Sequence, residues 1–91
     1  MAFVLSLHEF GRTFATRERG AELRDTVLTR CIDEPLIVDF AGVTNVSYSF
    51  ADEFVGRLSC VRPDIELLNM ASAVEPIVRR ARERRSSAIA Y

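Results

Sequence analysis

The sequence predicts one small α/β domain with a mostly parallel sheet and helices as cover. Short apolar runs alternate with amphipathic segments in the order strand, helix, strand, helix, strand, helix, which is typical of parallel strands joined by crossover helices. A length of 91 residues favours a single domain. A content of 48% hydrophobic and 27% charged residues is typical of a chain that folds, so we expect structure throughout residues 1–91 except at the end.

The first third of the chain predicts a strand and a helix. The strand is expected at residues 2–7, and residues 9–16, which contain Gly11 and lack periodicity, are expected to be irregular. Residues 17–32 predict an amphipathic helix, because apolar residues recur three and four positions apart. The expected core side holds Ala21, Leu23, Val27, Leu28 and Cys31. The expected polar side holds Glu18, Glu22, Asp25 and Thr29.

The middle of the chain predicts the central strand and a second helix. Residues 36–40 form a nearly continuous apolar run, the pattern of a parallel strand buried on both faces. A helix is then predicted to begin near Phe50 and to reach Cys60. Its expected core side holds Phe50, Ala51, Phe54, Val55, Leu58 and Val61. Its expected exposed side holds Asp52, Glu53, Gly56, Arg57 and Cys60.

The last third predicts a strand at residues 65–68 and a helix opened by a capping box from Ser72 to Glu75. The residues expected to be buried on this helix are Val74, Ile77, Val78 and Ala81. Residues 82–91 lose the apolar face, so we expect them to fray.

Charge and composition narrow the function classes. A formal net charge of −1 argues against a nucleic-acid partner. No apolar run is long enough to span a membrane, and the opening residues lack a leader pattern, so a cytoplasmic location is expected. Cys31 and Cys60 form no CxxC, and His8 is the only histidine, so we expect neither a metal site nor a cofactor.

The most informative segment is residues 46–53, which deliver a serine to the start of the second helix. Ser49 and Asp52 are spaced as a capping box with Asp in place of the usual Glu or Gln. One interpretation is that Ser49 only caps the helix. Gly56 is expected on the polar side of this helix, where it either allows a partner backbone to approach or is simply tolerated.

Three blocks of residues also carry a family resemblance. They are Thr16 and Arg17 with Gly20 and Leu23; Val38, Asp39 and Phe40 with Gly42 and Val43; and the SxSFADEFxGxL run that begins at Ser47. With these blocks the chain resembles the STAS-like family of uncharacterised bacterial domains, which are similar to anti-sigma factor antagonists. The resemblance covers almost the whole chain and implies a small STAS-like sheet.

The resemblance implies a regulatory protein–protein interaction module. In the anti-sigma factor antagonists, an ATP-binding serine kinase phosphorylates a serine at the start of the helix after the central strand, and dephosphorylation restores binding to that kinase. By position, this role falls on Ser49. The usual Asp-Ser-Ser-Gly type run is altered here, because Ser47, Tyr48 and Phe50 replace its Asp, first Ser and Gly. The expected partner-binding residues are Ser47, Tyr48, Ser49, Asp52, Glu53 and Gly56.

Other function classes have weaker support in the sequence. A non-switching scaffold or regulatory subunit is the main alternative. Asp39 and Asp52 could serve a receiver-like phosphoacceptor or a metal-binding enzyme, but the acidic cluster and lysine of such sites are lacking. Ser49 as a nucleophile has only His8 as a possible base, so no enzyme is expected. The arginine-rich run at residues 79–85 either grips an anion or forms a solvated helix face.

Overall fold

A computed structural model of the protein describes the backbone of residues 1–89 and the side chains of residues 1–85. It contains a three-stranded sheet in the order β1-β3-β5 and a two-stranded sheet formed by β2 and β4. Every strand pair is parallel. The predicted parallel α/β fold is therefore confirmed. The strands are β1 (Phe3–Ser6), β2 (Thr13–Phe14), β3 (Leu36–Asp39), β4 (Asn45–Val46) and β5 (Glu66–Leu68).

Strand β3 lies at the centre of the larger sheet, as its apolar sequence predicts. Val38 pairs with Leu5 of β1 on one side and with Leu67 of β5 on the other, which places these three side chains on one face. Leu5 and Val38 are buried, whereas Val4 and Leu68, on the opposite face, are exposed. The helices therefore cover one face of this sheet.

Three helices form the second layer. They are α1 (Arg17–Arg30), α2 (residues 48–61) and α3 (Glu75–Ile89). Because β1, β3 and β5 follow each other in one direction across the sheet, right-handed crossovers place α1 and α2 on the same face. Helix α2 packs against α1 on one side and against α3 on the other. None of the helices within residues 1–89 is long and apolar enough to cross a membrane.

The small sheet corrects the prediction that residues 9–16 are irregular. Leu7–Phe10 form a 3₁₀ turn, and Thr13–Phe14 pair with Asn45–Val46. A strand of two residues is too short to show an alternating pattern, so the sequence could not reveal it. The pairing holds the Phe14 ring 4.9 Å from the Phe50 ring. It thereby fixes the start of α2 against the core.

The predicted core side of α2 is confirmed except at its end. Phe50, Phe54 and Leu58 are fully buried, but Val61 is 60% exposed. Helix α1 differs in a similar way, because Leu28 is partly exposed although Leu23 is buried. Both exceptions lie at the edges of the helical layer.

Most of the segment that we expect to fray, residues 82–91, belongs to helix α3. The helix extends through residues 82–89, and residues 90–91 of the expected tail lie outside the described part of the chain. Arg82 explains part of this order, because its Nη2 donates to the carbonyl oxygens of Pro63 (3.3 Å) and Ile65 (3.2 Å). The start also differs from the prediction, because residues 72–74 form a turn and the helix begins at Glu75.

Candidate functional site

Helix α2 begins two residues earlier than the sequence pattern suggests. Ser47 is the N-cap, and its Oγ accepts a hydrogen bond from the Phe50 N–H at 3.0 Å. The same hydroxyl donates to the Ala15 carbonyl at 2.9 Å. The prediction that Ser49 caps the helix is therefore wrong, because β4 ends at Val46 and the chain enters the helix directly from it.

Tyr48 and Ser49 form the exposed part of this first turn. The Tyr48 residue is 55% exposed, and Ser49 is also exposed. Among the side chains that the structure describes, none forms a hydrogen bond with the Ser49 hydroxyl. With Ser47 as the cap, Ser49 is left available for other chemistry. We call Ser47, Tyr48 and Ser49 together the docking turn, after the partner-binding role that the sequence leads us to expect for them.

The middle of α2 is wound as a π-helix over Asp52–Gly56, and the Arg57 N–H donates to the Asp52 carbonyl five residues back. Single π turns inside α-helices are frequent at functional sites. Glu53 is only 8% exposed and Gly56 is buried, so the prediction that both lie on an exposed polar face is wrong. Helices α1 and α3 cover the two sides of α2 on which these residues lie.

Two glycines allow the helices to approach this closely. A Cβ atom at Gly20 of α1 would lie 3.1 Å from the Phe50 carbonyl oxygen and 3.1 Å from the Glu53 Cβ. A Cβ atom at Gly56 would lie 2.9 Å from the Arg85 Cγ and 3.4 Å from the Ala81 carbonyl oxygen. Gly56 therefore does serve a close approach, but the approaching element is helix α3 of the same chain.

Glu53 carries a buried carboxylate that faces arginines from two helices. Its Oε2 lies 2.8 Å from Arg57 Nε, 3.5 Å from an Arg24 nitrogen and 3.5 Å from an Arg17 nitrogen. This oxygen lies outside hydrogen-bond geometry with all three, so the contacts are ion pairs. Arg24 Nη1 also donates to the Glu53 carbonyl at 3.3 Å. Several cations thus share the compensation of one buried charge.

Asp52 connects α2 to α3. Arg85 donates to both of its carboxylate oxygens, at 2.8 and 2.7 Å, and Arg17 lies 3.5 Å from one of them. The hydrogen bonds from Arg85 lower the pKa of the Asp52 carboxyl below its ordinary value, and Arg17 adds to the shift. The expected capping-box role of Asp52 is therefore wrong, because its carboxylate is held by arginines.

Asp39, the residue expected in a receiver-like or metal-binding site, is already hydrogen-bonded within the domain. Asp39 Oδ1 accepts hydrogen bonds from Asn69 Nδ2 and the Ala41 N–H, both at 2.9 Å, and these bonds lower the pKa of its carboxyl. Within the described residues, no group of three or more His, Cys, Asp or Glu side chains is placed to hold a metal ion.

The arginine-rich run does not form one solvated face. Arg79 pairs with Glu75 at 3.1 Å, whereas Arg82 and Arg85 bind groups of the domain itself. Neither interpretation of this run from sequence anticipates these contacts.

Three of the six residues expected to bind a partner form the docking turn. Asp52 is half-buried one turn further along, and Glu53 and Gly56 are buried. Three arginines around them, Arg17, Arg24 and Arg85, were missed as ion-pair partners. A signal for two of them exists in the sequence, because Arg17, Gly20 and Arg24 recur at intervals of three and four and therefore share one side of α1. Arg85 is distant in sequence, and no local pattern indicates its pairing with Asp52.

Comparison with known proteins gives a family but no characterised relative. No curated protein and no solved structure matches the chain. Residues 19–73 match the model of a family described as STAS-like domain of unknown function (DUF4325). This match covers most of α1, the central strand β3, all of α2 and strand β5, and it ends before α3. The chain therefore belongs to the family of STAS-like domains of unknown function, in agreement with the resemblance seen in its sequence.

Proposed function

We propose that this domain is a non-enzymatic protein-docking module whose docking turn binds a partner protein, and that phosphorylation of Ser49 switches the binding. The proposal rests on the different roles of the three residues in this turn. Ser47 performs the structural work of capping, while Tyr48 and Ser49 are exposed beside it. Tyrosine is one of the residues enriched at the positions that contribute most to binding in protein interfaces.

The charges near Ser49 support a switch. A phosphate there adds about −1.5 to −2 charges in the first turn of a helix, where free amides and the helix dipole stabilise an anion. Asp52 and Glu53 follow three and four residues later, and Arg17 contacts both carboxylates at 3.5 Å. A new anion one turn away competes for Arg17. The surface charge therefore changes while the cap at Ser47 and the core stay intact.

The effect on binding can be large even if the fold is unaffected. A penalty of about 3 kcal/mol at an interface weakens affinity by more than about 100-fold. The likeness to anti-sigma factor antagonists suggests an ATP-binding serine kinase or an anti-sigma factor as the partner. The proposed surface consists of the docking turn with the adjoining edge of Asp52, and it excludes Glu53 and Gly56 because both are buried.

The test is co-purification from the native host with wild type, Ser49→Asp and Ser49→Asn. Asn resembles Asp in size but is neutral, so it isolates the effect of charge. We expect Asn to retain partners that Asp loses, with both variants folded and differing by no more than about 1 kcal/mol in stability, and mass spectrometry to find phosphate on Ser49. Partners that bind all three proteins equally, with no phosphate found at Ser49, would leave a non-switching scaffold and reject the switch.

A further inference from the structure

A groove lined by three arginines lies where the three helices meet. It has a volume of about 370 Å³, within the range of small-molecule sites. Helix α1 contributes Arg24 and Leu28, the last turn of α2 contributes Arg57, Cys60 and Val61, and α3 contributes Arg85. We call these six residues the arginine groove. None of them belongs to the docking turn, so the site stands apart from the proposed function.

The lining of the arginine groove includes three arginines and no carboxylate. Arg24 and Arg57 share the buried carboxylate of Glu53, and Arg85 uses that of Asp52. Arg17 also contacts both of these carboxylates, so four guanidinium groups share two carboxylates. The remaining acidic contact is Asp25, which is mostly exposed and lies 3.5 Å from Arg24. With Arg17, which lies outside the groove, four guanidinium groups therefore face three carboxylates, and one positive charge in this cluster is left without a matching carboxylate.

The rest of the lining is apolar, and two of its residues are exposed against expectation. Val61 is 60% exposed and Leu28 is 37% exposed, although the helical pattern of each segment predicts a core position. Cys60 is also exposed. The groove thus places an apolar wall beside guanidinium groups, a combination that suits a ligand with one charged end and one apolar part.

We infer that the arginine groove binds a small organic anion, in which a phosphate or carboxylate group contacts the guanidinium groups and an apolar body packs against Leu28 and Val61. The planar guanidinium group matches the oxygens of phosphate and carboxylate groups, and such charge-assisted hydrogen bonds are among the stronger polar contacts. The ligand would contact all three helices at once. Its binding therefore stabilises the packing of α3 on the rest of the domain.

The test uses phenyl phosphate and benzoate as anionic probes, phenol as the neutral control and inorganic phosphate as the control without an apolar part. Binding is measured by calorimetry and by the shift in melting temperature. We expect at least one anionic probe to bind saturably and to raise the melting temperature, with phenol and inorganic phosphate each about tenfold weaker or more. The stronger of the two anionic probes identifies the acidic group.

Variants at Val61 keep the test independent of folding, since this side chain is mostly exposed. Val61→Asp places a negative charge in the groove and is expected to weaken the bound probe by about tenfold or more. In Val61→Asn, the side chain has the shape of Asp without its charge. We expect this variant to bind the probe with an affinity within about threefold of wild type. Ile32→Asp adds the same charge at a residue that is 73% exposed and lies outside the groove. We expect this variant to bind the probe with nearly the affinity of wild type.

Two results would overturn the inference. One is the absence of saturable binding for both anionic probes, with no shift in melting temperature. The other is an equal loss of affinity in Val61→Asp and Ile32→Asp, which would mean that the probe responds only to the overall charge of the protein.

Discussion

Two parts of helix α2 carry polar residues in different surroundings: the docking turn at its start and the π turn that follows. The docking turn faces solvent, and its one structural hydroxyl belongs to Ser47. The next turn, Asp52–Gly56, is wound as a π-helix and is mostly buried between α1 and α3. The difference shows that a charged residue on the polar side of a predicted helix can be interior if a neighbouring helix supplies the opposite charge.

The buried turn depends on its partners for that reason. A carboxylate as buried as that of Glu53 is costly unless it is paired. The pairing comes from α1 through Arg17 and Arg24 and from α2 itself through Arg57. On the other side, Asp52 is paired with Arg85 of α3. The π turn therefore connects the three helices, whereas the docking turn at the start of α2 is exposed.

The largest expected effect follows from placing a long side chain in each turn. Gly56→Arg forces a side chain against α3, where the Arg85 Cγ lies 2.9 Å from the position of a Cβ atom. We expect a loss of about 3 kcal/mol in the free energy of unfolding. Ser49→Arg, at an exposed position, is the control and should change it by less than about 0.5 kcal/mol. Urea denaturation measures both, and equal values would show that Gly56 is not buried.

An intermediate effect separates the two serines of the docking turn. Ser47→Ala removes both the cap to the Phe50 N–H and the bond to the Ala15 carbonyl. The expected loss is about 2 kcal/mol. Ser49→Ala is expected to cost less than about 0.5 kcal/mol, because its hydroxyl has no structural partner among the described side chains. Thermal melting of the two variants makes the comparison. A larger loss of stability for Ser49→Ala than for Ser47→Ala would show that Ser49, and not Ser47, caps the helix.

The smallest expected effect concerns pH. The pKa of Asp52 is lowered in the folded state, chiefly by the hydrogen bonds from Arg85, so its stabilising effect is present above its ordinary value of 3.8 and is lost as the pH falls through the folded-state pKa. We expect wild type to lose about 1 kcal/mol more than Asp52→Asn between about pH 5 and pH 2. Denaturation curves across this range measure the difference. Parallel pH profiles would contradict the pairing with Arg85.

The sequence predicts the elements whose signal is local and repeated. The apolar run at Leu36–Asp39 and the spacing of Phe50, Phe54 and Leu58 locate the central strand and the core side of α2. Those features position the docking turn correctly to within two residues. The family resemblance carried by the same segment is also confirmed.

The errors arise where distant parts of the chain meet. The cap at Ser47 depends on the short pairing of β2 with β4, which shows no alternation in sequence. The burial of Glu53 and Gly56 depends on α1 and α3, and the pairing of Asp52 with Arg85 spans 33 residues. Helical periodicity describes one helix and its main apolar side, so it cannot indicate that two further helices cover the flanks.

The most direct test of the central claim is to map a partner on the domain. Once a partner has been captured with wild type, the unlabelled partner is added to the ¹⁵N-labelled domain, and the amide signals are compared residue by residue. We expect the strongest changes at Ser47, Tyr48 and Ser49, and we expect Ser49→Asp to abolish them while leaving the other signals of the free domain nearly unchanged. Changes centred on the exposed sheet face around Val4 and Leu68, with the docking turn unaffected, would contradict the account.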